Sequence, residues 1–249
     1  MKIVIIGGTG LIGTKVAGHL RELGHSVLAS SPSTGVNSVT GEGLKEALKG
    51  TDVVIDLSNS PSFEDGAVLE FFEKSGRNLM AAELEAGVKH HLALSIVGVD
   101  RMQDVGYMRA KKVQEDLIRN SGIPFTIIRS TQFIEFIPAL AGASTQGNEI
   151  HGSHVQFQPI AAEDVAALVT QFALAAAENL TPEIAGPDRR ALSDFFVEFV
   201  QAIDPAKKVV PNQRDEYFGG KVPHDGLVPQ GEATLGKTDL AKWLSHESK

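Results

Sequence analysis

The sequence of 249 residues contains no cysteine, which excludes disulfide bonds, thiolate catalysis and cysteine-ligated metal centres. Basic residues are not in excess, since 23 Lys and Arg oppose 31 Asp and Glu, for a formal net charge of −8. This charge argues against nucleic acid or an anionic membrane as a partner, because both require a basic surface. No apolar run approaches the length of a membrane span. With 42% hydrophobic and 22% charged residues, the composition is that of an ordinary globular protein.

The first apolar run, Ile3–Ile6, has the β-branched composition of a buried strand, and a glycine turn follows it directly. Gly7, Gly10 and Gly13 recur at every third position and lead into an amphipathic segment. We expect Gly7 to allow a sharp turn, Gly10 to let a phosphate approach the backbone, and Gly13 to let the helix pack closely on the strand. The unpaired N–H groups of the first helical turn would then face a dinucleotide pyrophosphate.

The end of the second predicted strand, Ser26–Ser30, usually decides which nicotinamide cofactor binds. An acidic residue there would accept a hydrogen bond from the ribose 2′-hydroxyl and favour NAD. This sequence instead has hydroxyl side chains, at Ser30, Ser31, Ser33 and Thr34. Without a carboxylate to repel a 2′-phosphate, we expect NADP(H) to be preferred and NAD(H) to be the alternative, although no Arg supplies the usual positive charge.

The buried strand Asp52–Leu57 ends at Ser58, Asn59 and Ser60. The carboxyl end of a central parallel strand faces the ligand in this type of sheet, which predicts contact with the nicotinamide-side ribose. Ordinary turn and capping chemistry explains the same residues equally well.

The residues that suggest catalysis follow the next strand, which begins at His90 and carries Ser95 near its end. Tyr107 and Lys111 open a predicted helix at i, i+4 spacing, so the phenol and the ammonium lie on one helical face. A phenol donates a proton at neutral pH, and a neighbouring cation lowers its pKa toward the operating range. The other interpretation is that both are solvated residues of an amphipathic helix.

Together with the later strand Pro124–Arg129, these residues resemble the atypical branch of the short-chain dehydrogenase/reductase superfamily, and within it the NmrA-like NAD(P)H-binding proteins. The likeness covers about residues 1–170 well and the remainder loosely. It implies that Tyr107 protonates the substrate, that Lys111 holds the nicotinamide ribose, and that Ser95 binds the substrate oxygen. Many NmrA-like proteins lack the Tyr and bind the cofactor without turnover, whereas this chain keeps the Tyr, the Lys and the Ser.

The resemblance implies an α/β fold, a Rossmann-like doubly wound parallel sheet with a small C-terminal α/β lobe. We expect one NAD(P)-binding domain over residues 1–249, with a core of about 1–180 and a substrate-side lobe of about 181–249. Tyr217 and Phe218 of that lobe are predicted to contribute to the substrate pocket. The sequence also predicts a short strand at residues 36–39 and a loop over the site at residues 142–154. The predicted cofactor-binding residues are Gly7, Thr9, Gly10, Leu11, Ile12, Gly13, Ser30, Ser31, Ser33, Thr34, Ser58, Asn59, Ser60, Lys111, Thr131 and Phe133.

The predicted function is an NADP(H)-dependent oxidoreductase, which transfers hydride from NADPH to a small carbonyl, quinone or similar acceptor with Tyr107 as proton donor. The alternative is a non-catalytic NAD(P)H-binding redox sensor or regulator of the NmrA type. We expect a small-molecule substrate, no nucleic acid or membrane partner, and a monomer or homodimer. No metal site is expected, because His90 and His91 are adjacent on a strand and point to opposite faces. The first strand starts too close to Met1 for a signal peptide, which predicts a cytoplasmic protein.

Overall fold

The computed structural model describes residues 1–217 and 220–247, so Phe218 lies outside the described residues. The strands, in chain order, are β1 (Lys2–Ile6), β2 (Ser26–Ser30), β3 (Val53–Asp56), β4 (His90–Ile96), β5 (Phe125–Ser130), β6 (Thr145–Gln146), β7 (Glu149–Gly152), β8 (Gln156–Phe157), β9 (Glu183–Ala185), β10 (Arg190–Ala191), β11 (Lys208–Pro211), β12 (Glu216–Tyr217), β13 (Gly220–Lys221) and β14 (Thr234–Leu235). The α-helices are α1 (Leu11–Glu22), α2 (Leu44–Leu48), α3 (Asp65–Ala86), α4 (Gly106–Arg119), α5 (Ile137–Ala143), α6 (Ala162–Leu174), α7 (Leu192–Ile203) and α8 (Leu240–Glu247). Short 3-10 turns cover Pro32–Thr34 and Ile134–Phe136.

The chain forms two compact units. The first comprises residues 1–129 and 165–182, and the second comprises residues 130–164 and 183–249. The sequence pattern places residues 130–164 with the core, whereas the structure groups them with the C-terminal residues. The reason is strand pairing within the second unit, where β7 pairs in parallel with β11 and antiparallel with β6.

Within the first unit, β1 to β5 lie side by side in the main sheet, in the order β5-β4-β3-β1-β2. The pairs β1–β2, β1–β3 and β3–β4 are parallel, with Ile5 opposite both Ala29 and Ile55. The prediction of a Rossmann-like parallel α/β sheet is confirmed. Because the strand order reverses at β1, the carboxyl ends of β1 and β3 border the point at which such sheets bind ligands.

Both faces of the first unit's sheet are buried. Val4 and Ile6 of β1 belong to an apolar cluster that also contains residues of α2, α3 and α4. The alternate residues Ile3 and Ile5, which point to the opposite face, are also completely buried. A parallel sheet covered on both faces explains why β1 is a continuous apolar run rather than an alternating one.

Two predicted local structures are wrong. Residues 36–39, predicted as a short strand, form a turn in which the Asn37 Oδ1 accepts from the backbone N–H of Val39 at 2.9 Å. This side-chain bond replaces a strand pairing. Residues 142–154, predicted as a loop, contain β6 and β7. Among the described residues, no helix is long and apolar enough to cross a membrane.

Candidate active site

The glycine turn leaves β1 as the spacing predicts. Gly7 has φ of +77°, and a Cβ at this position would lie 2.6 Å from the carbonyl oxygen of Leu57, just after β3. A Cβ at Gly13 would lie 2.4 Å from the Gly7 oxygen and 2.7 Å from the Gly8 Cα. Gly7 therefore supplies a left-handed turn beside the end of β3, and Gly13 allows α1 to pack on that turn.

The outer side of this turn fits a dinucleotide pyrophosphate. Gly10 precedes the first residue of α1, and Thr9, Gly10 and Leu11 are exposed. In the part of the chain that the structure describes, a Cβ at Gly10 would meet only the Gly7 oxygen, at 3.3 Å. The N–H groups in the first turn of α1, including those of Ile12 and Gly13, have no carbonyl acceptor within the helix. An open backbone surface at a helix N-terminus suits an anionic group.

The hydroxyl residues after β2 lie next to the glycine turn, because the Gly8 N–H donates to the Ser30 carbonyl oxygen at 2.9 Å. The Ser30 hydroxyl is buried and has no hydrogen-bond partner within residues 1–217 and 220–247. The Ser31 N–H donates to the Thr34 Oγ1 at 2.9 Å, and the Ser31 and Ser33 hydroxyl oxygens lie 2.8 Å apart. These residues form a short polar turn with hydroxyl groups. The turn lies beside the cofactor cradle, which is the glycine turn of residues 7–13 that is predicted to hold the pyrophosphate.

The end of β3 carries a connected set of hydrogen bonds. The Asp56 Oδ1 accepts from the Ser58 N–H at 3.0 Å and from its hydroxyl at 2.6 Å. The Asn59 Oδ1 accepts from the Ser60 N–H at 3.0 Å and from the Tyr107 hydroxyl at 3.1 Å. Ser58 and Ser60 thus take part in local turn bonding, while Asn59 links the β3 end to the predicted acid.

Tyr107 lies in the first turn of α4 and is partly exposed. Its ring lies 5.9 Å from that of Phe63 and 6.1 Å from that of Phe72, measured between centroids. Burial raises the pKa of Tyr107 to about 12, whereas a neighbouring ammonium was expected to lower it. The phenol is therefore protonated at neutral pH and donates to Asn59.

Lys111 points into the protein, which explains why its ammonium does not lower the pKa of Tyr107. Its side chain is 3% exposed, and Nζ donates to the Leu94 carbonyl oxygen at 2.8 Å and to the Gln114 Oε1. The ammonium also lies 4.6 Å from the centroid of the Phe72 ring, which Tyr107 contacts on another side. Burial lowers the pKa of Lys111 to about 8. Below that pH the side chain is a buried cation with specific partners, and it is not a solvated surface lysine.

Ser95 is bound to a buried carboxylate. Its hydroxyl donates to the Glu115 Oε1 at 2.6 Å. Glu115 also accepts from Arg129, through Nε at 3.0 Å and Nη2 at 2.7 Å, and from Arg119 at 2.8 Å. Burial alone would raise the pKa of Glu115, but the hydrogen bonds from Arg129, Ser95 and Arg119 outweigh it and hold the pKa below its usual value. A ligand oxygen would have to share the Ser95 hydroxyl with Glu115.

Two predicted cofactor residues, Thr131 and Phe133, belong to the second unit. Thr131 is 1% exposed, and its hydroxyl has no hydrogen-bond partner in the described ranges. The same holds for the amide group of the buried Gln132. The Phe133 ring stacks on Phe136, with centroids 5.6 Å apart. Unpartnered buried polar groups at Thr131 and Gln132 fit residues that await a ligand or water.

The two adjacent histidines have separate partners. The His90 Nε2 lies 3.0 Å from the Thr126 hydroxyl, and burial lowers the pKa of His90 to about 4. The His91 Nδ1 lies 2.8 Å from the Glu83 Oε1, and both side chains are fully buried. Burial lowers the pKa of His91, but the charge and hydrogen bond of Glu83 outweigh this and raise it. Within the described residues, no group of three or more His, Asp or Glu side chains is arranged to hold a metal ion.

Sequence reasoning missed two buried polar residues of this site, Asp56 and Gln114. The Gln114 Nε2 donates to the Asp56 Oδ2 at 2.7 Å, while its Oε1 accepts from Lys111. The available signals were an acidic residue closing an apolar strand and a glutamine three positions after the lysine, on the same helical face.

A glycine turn between β1 and α1, at the point where a parallel sheet reverses its strand order, defines a Rossmann-type dinucleotide-binding protein. The chain belongs to the NAD(P)H-binding family, which matches residues 7–175. The expectation of an NAD(P)H-binding protein is confirmed at this level.

Three known proteins show the range of this similarity. The chain is 31% identical over 145 residues to the (4-alkanoyl-5-oxo-2,5-dihydrofuran-3-yl)methyl phosphate reductase of Streptomyces griseus subsp. griseus, over 53% of this chain and 48% of that protein. It is 27% identical over 149 residues to the photosystem II assembly factor Ycf39 of Cyanophora paradoxa, over 54% of this chain and 46% of that protein. The chain thus spans about half the length of the curated relatives it matches. The crystal structure of the NADPH-dependent quinone oxidoreductase QOR2 from Escherichia coli, complexed with NADPH, has a TM-score of 0.73 at 19% identity, and covers 99% of this chain and 100% of that one. This last likeness shows a shared fold.

Proposed function

We propose that this protein is a cytoplasmic NADP(H)-dependent reductase of a small carbonyl, quinone or similar acceptor. The hydrogen bond from the Tyr107 hydroxyl to the Asn59 Oδ1, at 3.1 Å, is the observation that carries the proposal. It joins the predicted acid on α4 to the carboxyl end of β3, which borders the strand reversal beside the glycine turn. Tyr107, predicted to act in catalysis, and Asn59, predicted to bind the cofactor, are therefore in direct contact.

The backbone of the glycine turn supports a position for the cofactor. Gly7, Gly10 and Gly13 with the N-terminus of α1 would hold the pyrophosphate, and the hydroxyl turn at Ser31–Thr34 would hold the adenosine ribose end. No carboxylate in that turn repels a 2′-phosphate, which supports the preference for NADP(H) over NAD(H). When bound, the nicotinamide supplies the hydride.

A pKa of about 12 keeps the Tyr107 phenol protonated throughout the neutral range, so the proton that the acid role requires is present, although the raised pKa makes the phenol a weaker acid than a free tyrosine. As the acceptor oxygen gains negative charge, the phenol O–H donates its proton to that oxygen instead of to Asn59. The buried Lys111 ammonium contributes positive charge on the same helical face, and its third proton would bind a ribose hydroxyl. Ser95 would donate to the acceptor oxygen after exchanging its bond with Glu115.

The surroundings of Tyr107 favour a planar acceptor. Phe63 is 69% exposed, and its ring centroid lies 5.9 Å from that of Tyr107. An exposed aromatic face beside the proton donor offers a stacking surface for a flat conjugated carbonyl or quinone. The names of two similar proteins, a reductase of an oxo-dihydrofuran compound and a quinone oxidoreductase, agree with this class of acceptor.

The test is a turnover assay with NADPH and NADH across a panel of quinones and small carbonyls. We expect Tyr107→Phe to lower kcat by at least about a hundredfold, since general acid catalysis contributes that much or more, and to leave NADPH affinity within about twofold. Lys111→Met is expected to weaken NADPH binding. The matched control is Lys112→Met, because the neighbouring Lys112 pairs with Asp116 on the solvent side and is expected to leave both quantities unchanged. Unchanged turnover in Tyr107→Phe would remove Tyr107 as the acid.

A non-catalytic NAD(P)H sensor is the second candidate. Two observations favour it: Lys111 and Ser95 already have protein partners, and a similar protein is named as an assembly factor. A sensor would bind NADPH with no oxidation of the cofactor by any member of the panel. Phe63→Ala separates the two candidates further. In a reductase this variant should raise the KM for quinones, whereas in a sensor it should leave NADPH binding unchanged and no quinone turnover should be detected.

A further inference from the structure

One buried carboxylate, that of Asp56, is connected to two of the predicted catalytic side chains, Tyr107 and Lys111. Asp56 is 3% exposed and ends β3. Its Oδ1 accepts from the N–H and hydroxyl of Ser58, the residue that precedes Asn59, the acceptor for Tyr107. Its Oδ2 accepts from Gln114. One side of the carboxylate therefore organises the turn below Tyr107, and the other side leads to Lys111.

The Gln114 amide is held in one orientation. Its side chain is 2% exposed, its Nε2 donates to the Asp56 Oδ2 at 2.7 Å, and its Oε1 accepts from the Lys111 Nζ. An amide has one donating and one accepting end, so the carboxylate fixes which end faces the lysine. If the amide were reversed, its N–H groups would face a cation and its oxygen would face an anion.

Lys111 depends on this arrangement because it has few other partners. The Leu94 carbonyl and the Gln114 Oε1 account for two of its three ammonium protons among the described residues, and the ammonium lies 4.6 Å from the centroid of the Phe72 ring. The negative charges of Asp56 and Glu115 also raise the pKa of Lys111. A buried cation that loses an acceptor becomes much less favourable. The same Phe72 ring contacts Tyr107, so a displaced Lys111 would also disturb the packing around the phenol.

The geometry points to Asp56 and Gln114 as positioning residues, which hold the Lys111 ammonium and, through Ser58 and Asn59, the Tyr107 hydroxyl in one fixed arrangement. This inference rests on the proposed reductase function for its consequence in catalysis. The arrangement itself exists without cofactor and is measurable without it.

Asp56→Asn is the decisive variant, because it keeps the side-chain shape. The oxygen of the substituted side chain would still accept from Ser58, which leaves its NH2 group facing Gln114. Gln114 then has to turn its own oxygen toward that NH2 group, so that the Gln114 NH2 faces the Lys111 ammonium. Gln114→Met is the second variant, since it preserves volume and removes both hydrogen bonds.

The measurement is the titration of the lysine side chains by NMR in the protein without cofactor. In both variants we expect the Lys111 midpoint, a pKa of about 8 in the unchanged protein, to fall by at least about one unit, because the cation loses an acceptor. Asp56→Asn also removes a negative charge that raises the Lys111 pKa, whereas Gln114→Met keeps that charge and therefore isolates the effect of the hydrogen bond. NADPH affinity should fall at least about tenfold, because the charged lysine loses the hydrogen bond to Gln114 that positions it toward the ribose. The Lys112 midpoint serves as an internal reference and should not move.

Asp116→Asn is the matched control, because it removes a carboxylate from the same helix that pairs with Lys112 rather than Lys111. It should leave the Lys111 midpoint and NADPH affinity unchanged. An unchanged Lys111 midpoint in folded Asp56→Asn and Gln114→Met protein would overturn the positioning role. Failure of both variants to fold would assign the residues a structural role and overturn it as well.

The proposed function fails by different results, namely no NADPH binding by the unchanged protein or full turnover by Tyr107→Phe. In either case the Lys111 titration still reports on the arrangement.

Discussion

Gly13→Ala tests the structural basis of the cofactor cradle. The added Cβ would lie 2.4 Å from the Gly7 oxygen and 2.7 Å from the Gly8 Cα. Both neighbours are backbone atoms, so the turn or the start of α1 has to move by about 1 Å to restore ordinary contact. Overpacking of this kind costs about 1–3 kcal/mol. The displaced turn should also weaken NADPH binding at least about tenfold, which corresponds to about 1.4 kcal/mol.

Gly18→Ala is the matched control on the same helix. No atom lies within 4 Å of a Cβ at Gly18, and alanine is favoured over glycine inside a helix by about 0.8–1 kcal/mol. The two variants should therefore differ by about 2–4 kcal/mol in the free energy of unfolding. At about 2–4 °C per kcal/mol, thermal unfolding should separate them by roughly 5–15 °C, with Gly13→Ala lower. Equal Tm values, or an unchanged NADPH Kd in Gly13→Ala, would show that the close approach at Gly13 does not hold the cradle.

Three further predictions concern pH, a buried ion pair and cofactor choice. Because the His90 pKa falls from 6.5 to about 4 on folding, its neutral form contributes stability above pH 6.5 that is lost as the pH falls toward 4. Compared with the non-titrating His90→Gln, the unchanged protein should lose about 3 kcal/mol more over this range in urea unfolding, and parallel curves would contradict the shift. Glu115→Gln removes the buried carboxylate that pairs with the Arg129 guanidinium, which is 14% exposed and keeps a second ionic partner in Asp100, so it should cost about 1.5–3 kcal/mol. The exposed Asp116→Asn should cost less than about 1 kcal/mol, and equal urea midpoints would refute this difference. Ser33→Asp adds a carboxylate beside the predicted 2′-phosphate position and should lower the affinity for NADPH relative to NADH at least about fivefold, with Ser33→Ala as control and fluorescence titration as the assay. An unchanged ratio would place the 2′-phosphate elsewhere.

Much of the first unit was predictable because its signals are local. The apolar run of β1, the spacing of Gly7, Gly10 and Gly13, and the periodicity of α4 all act over a few residues, and the structure has each of these elements. The predicted strand at residues 36–39 failed because Asn37 bonds to the backbone nearby, and the predicted loop at 142–154 failed because β7 depends on a partner strand, β11, far along the chain. Pairing over such sequence distances leaves no periodic signal in strands of only four residues.

The partners of the candidate catalytic residues were also beyond sequence reasoning. The i, i+4 spacing correctly puts Tyr107 and Lys111 on one face of α4, but it does not indicate how deeply each side chain is buried. The structure turns Lys111 inward to Leu94 and Gln114 and leaves Tyr107 partly exposed, bonded to Asn59. Burial therefore raises the Tyr107 pKa to about 12 and lowers that of Lys111 to about 8, where the sequence suggested a lowered phenol pKa.

The sequence by itself determined the parallel α/β fold and the glycine turn of the NAD(P)H-binding family, because strand composition and glycine spacing are properties of short segments. Only the tertiary structure decided that Asp56, distant in sequence from α4, reaches Lys111 through Gln114. Hydrogen bonds between buried side chains depend on which elements pack together and how far each group lies from water. Both the packing and the burial are established only when β3 and α4 come into contact. They determine the pKa values, and therefore the charges, of Tyr107 and Lys111.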